Sequence, residues 1–150
     1  MSEKKIAIGC DHAALEFKAH FIEWLDKNGY HAVDCGCYSA ESIDYPDIAK
    51  AVCEKLTGGE CEKGILICGT GIGMSIAANK IKGIRAAVCC DCYSTKYTRL
   101  HNDANVACFG ARTMGEELAK ELLAIFLSTE FEGGGRHERR VAKLTELENE

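Results

Sequence analysis

Cys68-Gly69-Thr70-Gly71-Ile72-Gly73 is the stretch of this chain whose residue types and spacing point most directly to chemistry. Three apolar residues, Ile65-Leu66-Ile67, precede it, and a helix-like run from Met74 to Lys80 follows. That order puts a thiol at a strand end, beside glycines that can turn successive backbone N–H groups toward one point. Such a nest at a helix N-terminus binds anions and favours a thiolate over a thiol. A thiolate next to an anion hole can move a proton on a carbon whose neighbour becomes an oxyanion. The glycines fall at 69, 71 and 73, which is not the dinucleotide fingerprint G-x-G-x-x-G. No Gly-Lys-Ser/Thr follows them, so the segment is not a P-loop either. On position alone, Cys68 reads equally as a base and as a buried cysteine finishing a strand. The glycines read as an anion nest or as a tight turn.

Other residues carry polar chemistry in suggestive places. Asp11 and His12 are adjacent directly after an apolar run. His101-Asn102-Asp103 closes a polar helical stretch, where a histidine also suits the helix dipole. Arg136 and Arg140 are four apart, on one face if the tail is helical, and form a plausible phosphate clamp or a solvated charged face. Gly133-Gly134-Gly135 lets the backbone bend before them, and Arg112 offers a third guanidinium. A metal is not expected. Cys89-Cys90-Asp91-Cys92 and Cys35-Gly36-Cys37 lack a second pair at zinc-ribbon spacing, and a strand would point Cys89 and Cys90 to opposite faces. A thioredoxin-like role fails too, because Cys89 and Cys92 end a strand rather than open a first helix.

The elements that must position these residues alternate strand and helix throughout. Strands are read at 5–9, 31–35, 64–68, 84–90 and 105–110. Helices are read between them, with Ala14, Phe17, Phe21, Trp24 and Leu25 on the first and Ile48, Val52 and Leu56 on the second. Pro46, the only proline, sits in the second helix's first turn. A short helix spans 74–81 and a polar one 94–102. A strong one spans 116–127, with Leu118, Leu122, Ile125 and Phe126 on one face. After the glycines, Val141, Leu144 and Leu147 make a stripe on a final helix, about 136–149, expected to dock on a partner subunit. The pattern implies one α/β domain, 1–150, with a parallel sheet covered on both faces. In such sheets, sites form beyond the C-terminal strand ends. Asp11-His12, Cys68–Gly73 and Arg112 should therefore share one edge.

Composition narrows the class. The chain of 150 residues is 47% hydrophobic, enough for a packed core. Its formal net charge of −5 argues against general nucleic-acid binding. The lead-in Met1-Ser2-Glu3-Lys4-Lys5 and the short apolar run after it make no signal peptide, and no run spans a membrane, so a cytoplasmic protein is expected. Ten cysteines would suit a disulfide framework, but that context calls for reduced thiols, and Cys53, Cys89 and Cys108 lie in apolar runs.

The motifs together resemble the type B ribose-5-phosphate isomerases of the RpiB/LacA/LacB sugar-phosphate isomerase family. They are Gly9-Cys10-Asp11-His12-Ala13-Ala14, Asp44-Tyr45-Pro46-Asp47, Cys68–Gly73, Ala77-Ala78-Asn79-Lys80, Gly83-Ile84-Arg85-Ala86-Ala87, His101-Asn102-Asp103-Ala104-Asn105 and Gly135-Arg136-His137. The resemblance runs in order from about residue 4 to 147. It implies a Rossmann-like three-layer α/β/α sandwich with a five-stranded parallel sheet. It also implies a homodimer or tetramer with sites shared across subunits, acting on a sugar phosphate without metal or cofactor. By resemblance, Cys68 is the base, Gly69, Gly71 and Gly73 belong to the enediolate hole, and Thr70 and His101 help to open the furanose ring. His101 and Asn102 would come from the second subunit. His12, Arg112, Arg136 and Arg140 resemble the phosphate-binding set, and Asp11 and Tyr45 resemble residues along the sugar hydroxyls. Relatives with a glutamate base carry it near position 74, where this chain has Met74. The implied reaction interconverts D-ribose 5-phosphate and D-ribulose 5-phosphate. A six-carbon substrate (allose or galactose 6-phosphate) and a non-enzymatic phosphosugar sensor are the alternatives.

Overall fold

The computed structural model describes residues 4–150, and Met1–Glu3 of the lead-in lie outside them. Strand and helix alternate as β1 (Lys4–Cys10), α1 (Leu15–Lys27), β2 (Tyr30–Asp34), α2 (Tyr45–Thr57), β3 (Lys63–Cys68) and α3 (Ile72–Ala78). The chain continues through β4 (Ala86–Val88), α4 (Cys92–Asn102), β5 (Val106–Gly110), α5 (Glu116–Ser128) and α6 (Arg136–Glu148). The strands form one five-stranded sheet, ordered β2-β1-β3-β5-β4, in which every pair is parallel.

The period-two alternation of strands sorts side chains into two helix layers. Ile6, Ile8 and Cys10 of β1, Ile65 and Ile67 of β3, and Ala107 and Phe109 of β5 pack with Phe17, Phe21 and Leu25 of α1 and Leu122, Leu123 and Phe126 of α5. Phe21 meets Phe109 edge to face at 5.1 Å. On the opposite face, Ala7, Leu66, Cys68, Val106 and Cys108 pack with Ala49, Val52 and Cys53 of α2 and Met74 and Ala78 of α3. This is the expected three-layer α/β/α sandwich. Among the described residues no helix is long and apolar enough to cross a membrane. All ten cysteines are free thiols.

Three local expectations are corrected. Strand 84–90 shrinks to the edge strand β4. Its outer rim is covered by the amide of Asn79, which accepts the Ala86 N–H at 2.8 Å and donates to the Ala86 carbonyl at 2.9 Å. The Arg85 N–H goes instead to Asn105 Oδ1 at 2.8 Å. On α5, Leu118 is 41% exposed, because the i, i+4 row Ala119–Leu123–Leu127 faces the core and Leu118 stands on its flank. Helix α3 starts at Ile72 rather than Met74, because left-handed Gly71 already caps it.

Helix α6 buries no residue in this chain. Its first turn lies on the end of α4, and near its far end the Glu148 carboxylate accepts the Gly83 N–H at 3.0 Å. Between α6 and the segment joining α3 to β4 lies a cavity of about 570 Å³, lined by Arg85, Asn102, Leu144 and Leu147 among others.

Candidate active site

In the sheet, β1 and β3 are neighbours although the chain leaves β1 for β2 on the other side, which creates a crevice beyond their C-terminal ends. Cys10 pairs with Ile67, and Cys68 with Gly110. The segments after β1, β3 and β5 therefore rise from one edge. Backbone bonds tie them together: Asp11 N–H to Ile67 O at 3.0 Å, Ala111 N–H to Cys68 O at 2.9 Å, and Arg112 N–H to Gly69 O at 3.0 Å. Asp11, His12, Cys68–Gly73 and Arg112 share the edge that the strand pattern anticipated.

The centre of this edge is the Cys68 loop. The Gly71 N–H donates to Cys68 Sγ at 3.0 Å. Gly71 sits at φ +80°, and a Cβ there would lie 3.0–3.2 Å from the Phe109 backbone. A side chain is thus excluded twice, by conformation and by β5. Cys68 is 6% exposed, while Thr70 beside it is open to solvent. Thr70 Oγ1 accepts the Ile72 N–H at 3.2 Å, which leaves its O–H available as a donor. Burial pushes Cys10, Cys53 and Cys89 up to about 12, so they are neutral small hydrophobes at pH 7. Burial also raises Cys108, Cys35 and Cys61. Cys35, Cys37 and Cys89 donate S–H to carbonyls, whereas Cys68 sulfur receives a donor, the contact that suits negative charge on sulfur.

Around the loop, polar groups are held by backbone contacts. His12 Nδ1 accepts the Ile43 N–H at 3.3 Å, which makes Nε2 the protonated nitrogen, free to donate to an anion. Asp11 Oδ1 accepts the Ala13 N–H at 2.9 Å. Tyr45 opens α2 and lays its ring against Gly73, where a Cβ would be 2.9 Å from Cζ. The Arg112 side chain runs along Gly69, where a Cβ would meet its Cδ at 3.5 Å. Buried Lys18 fixes the segment leading to Ile43 and Tyr45. Its Nζ donates to Asp34 Oδ1 and to the Cys37 carbonyl, both at 2.8 Å. Sequence reasoning missed Lys18, because a lone lysine on a helix reads as solvated.

A second group lies at the junction of α4 and α6. His101 stacks on His137 with ring centroids 3.8 Å apart and planes 6° apart, and Tyr97 meets it edge-on at 4.9 Å. Arg136 and Arg140 occupy the first turns of α6, both exposed. Asp103 adopts φ 46° and caps α4, and its carboxylate binds Arg99 at 2.8 Å and Arg85 at 3.4 Å. Arg85 Nε also donates to the carbonyls of Asn102 and Asp103. The backbone carrying His101 and Asn102 is thereby pinned. The sequence reading quoted His137 within the Gly135-Arg136-His137 motif but gave it no role.

Among the described residues, no hydrogen bond, ion pair or ring contact joins the two groups. The 570 Å³ cavity touches Asn102 but no residue of the Cys68 loop. Apolar surface flanks both groups: Ile72 and Ile76 on α3 are 55% and 57% exposed, and Leu144 and Leu147 on α6 are 45% and 62% exposed. No cluster of three or more His, Cys, Asp or Glu among the described residues is arranged to hold a metal.

Known proteins resemble this chain over nearly its whole length. Ribose-5-phosphate isomerase B of Escherichia coli is 48% identical over 145 residues, covering 97% of each chain. D-erythrulose-4-phosphate isomerase of Pectobacterium atrosepticum is 46% identical over 134 residues, covering 87% of this chain and 86% of that one. The solved structure of Clostridium thermocellum ribose-5-phosphate isomerase B superposes with a TM-score of 0.94 at 48% identity, covering 97% of each chain. Residues 6–144 match the Ribose/Galactose Isomerase family, and the chain belongs to that family of isomerases.

Proposed function

We propose that this protein is an aldose–ketose isomerase that interconverts D-ribose 5-phosphate and D-ribulose 5-phosphate through a cis-enediolate. The observation that carries the reading is the Cys68 sulfur accepting a backbone N–H inside a glycine nest at the sheet edge. The thiolate takes the proton from C2 and the negative charge moves onto the C1 oxygen; a proton then passes from the C2 hydroxyl to the C1 oxygen, and the thiol returns its proton to C1, which leaves the carbonyl at C2 and the thiolate restored. A carbon acid of this kind is too weak for a thiolate unless the enediolate is stabilised as it forms. Nest N–H donors are worth about 3–4 kcal/mol each and an aligned base about 10²–10⁴-fold, so the two must share one loop. The Thr70 hydroxyl and His101 assist ring opening. Asp11 and Tyr45 line the sugar hydroxyls. His12, Arg112, Arg136 and Arg140 hold the phosphate and orient the reacting carbons. The free thiols suit a reducing cytoplasm.

The working unit in this reading is a homodimer in which His101, Asn102, Arg136 and Arg140 of one copy complete the Cys68 edge of the other. The absence of a link between the two groups among the described residues supports it. So does the exposed apolar surface on α3 and α6. Mixing the variants Cys68→Ala and His101→Ala, each impaired alone, tests it. A dimer of the two holds one site with both lesions and one with neither, so activity returns on mixing. No recovery after subunit exchange removes the shared site. Alone, Cys68→Ala loses turnover while inorganic phosphate still binds, and near wild-type turnover removes Cys68 as the base. A panel of ribose 5-phosphate, allose 6-phosphate, galactose 6-phosphate and erythrulose 4-phosphate ranks the substrates. The four-carbon member is included because of the Pectobacterium relative.

A further inference from the structure

His101 is a surface residue of the last turn of α4, a place where an imidazole is free to rotate unless something holds it. Two rings hold it here. Tyr97, one turn earlier on α4, meets it edge-on at 4.9 Å, and His137 lies flat against it at 3.8 Å from the start of α6. Tyr97 itself rests on Tyr93 at 4.4 Å, so a ladder of rings runs along α4 and ends on the His101–His137 pair. Gly134 at φ +85° and Gly135 just before α6 let the chain turn so that His137 can reach α4. The Gly134 N–H donates to Glu138 at 3.0 Å, which fixes that turn.

From this stack we infer that His137 is a positioning residue, which sets the ring plane and χ angles of His101 for the ring-opening step. The inference rests on the reading of His101 given above. Two parallel imidazoles repel if both are charged, so the stack requires one of them to stay neutral. Burial, and then the positive charges of His101, Arg136 and Arg140, hold His137 below the ordinary histidine range. A fixed ring avoids a search over rotamers at the moment of reaction, and misplacement by a fraction of its width is costly.

The test uses the intact protein with His137→Ala, His137→Phe, His101→Ala and the double variant His101→Ala/His137→Ala. Kinetics on ribose 5-phosphate and inhibition by inorganic phosphate are measured for each. Ring-proton NMR shifts of His101 are recorded wherever that residue is present. For His137→Ala the expected result is a fall in kcat of about tenfold with KM and phosphate inhibition unchanged. The upfield ring-current shift of His101 is lost as well. His137→Phe keeps a flat ring and restores both. The double variant is no slower than His101→Ala, because a residue acting through another adds nothing once that other is gone. Weaker inhibition by inorganic phosphate in His137→Ala would make His137 a phosphate ligand instead and overturn the inference. So would a further loss in the double variant, or a His137→Phe as slow as His137→Ala. If His101→Ala keeps full turnover while the NMR shifts report the stack, the functional reading of His101 has failed rather than the contact.

Discussion

Gly71 and Gly59 share the same backbone conformation, φ +80°, in different surroundings. Gly59 has nothing within 4 Å of where its Cβ would be, whereas at Gly71 the Cβ would sit 3.0 Å from the carbonyl carbon and 3.2 Å from the nitrogen and oxygen of Phe109. Replacing each with alanine separates two effects. The left-handed conformation alone costs an L-residue about 1–2 kcal/mol. For a chain of this length that lowers Tm by about 2–8 °C. Gly59→Ala, at the end of α2, should show that fall and unchanged turnover. Gly71→Ala carries the same cost and adds an overlap with backbone, which no side-chain rotation relieves. The loop must lift off β5, and the N–H aimed at Cys68 moves with it. Loss of one preorganised donor of this kind costs about 10²–10³ in kcat. Thermal unfolding by circular dichroism and steady-state isomerisation, measured side by side, read both quantities. A Gly71→Ala protein with the Tm of Gly59→Ala and wild-type kcat would refute the argument that the nest is held in place by β5.

Arg136→Ala and Arg140→Ala each remove charge-assisted hydrogen bonds worth about 1.5–3 kcal/mol, so KM should rise about 10- to 100-fold with kcat nearly kept. Unchanged kinetics in both would sink the clamp. Asp103→Ala strips the carboxylate from Arg99, whose side chain is 7% exposed, and should cost about 3 kcal/mol or more by chemical denaturation. Asp103→Asn tolerates φ 46° and isolates the charge, so an intact stability in both variants would show that the ion pair contributes little. Stability should also fall at alkaline pH. Cys10, Cys53 and Cys89 move from 9.0 in the free thiol to about 12 in the fold. Between those values the unfolded chain binds fewer protons, so rising pH favours unfolding. Cys53→Ala should make that decline shallower, and a denaturation midpoint that is flat from pH 8 to 10.5 would contradict the assignment.

How much of this was legible in the sequence differs between the two groups. The Cys68 edge was readable because strand alternation and glycine spacing are local signals: β1, β3 and β5 each end in a small or polar break. Asp11, His12 and Arg112 follow from the rule for strand ends. The α4–α6 junction was only half readable. Arg136 and Arg140 declare themselves by spacing, but the stack of His137 on His101 depends on how two helices meet, which no local pattern encodes. The same holds for Leu118, where periodicity allowed two adjacent stripes and packing against the sheet chose the one through Ala119. The shortened β4 has a related cause. Asn79 and Asn105, distant in sequence, take its flanking backbone groups.

The strand order β2-β1-β3-β5-β4 has a consequence for how the protein is made. Both β3 and β4 leave the ribosome before the strand that separates them. Until β5 emerges, the edge of β3 carrying Cys68 has no partner and Phe109 is not there to back Gly71. A nascent chain therefore exposes an apolar strand edge with a thiol at its tip during the interval most prone to misassociation. The insertion of β5 closes that edge and completes the anion nest in one event, so no chain truncated before Gly110 can contain the site.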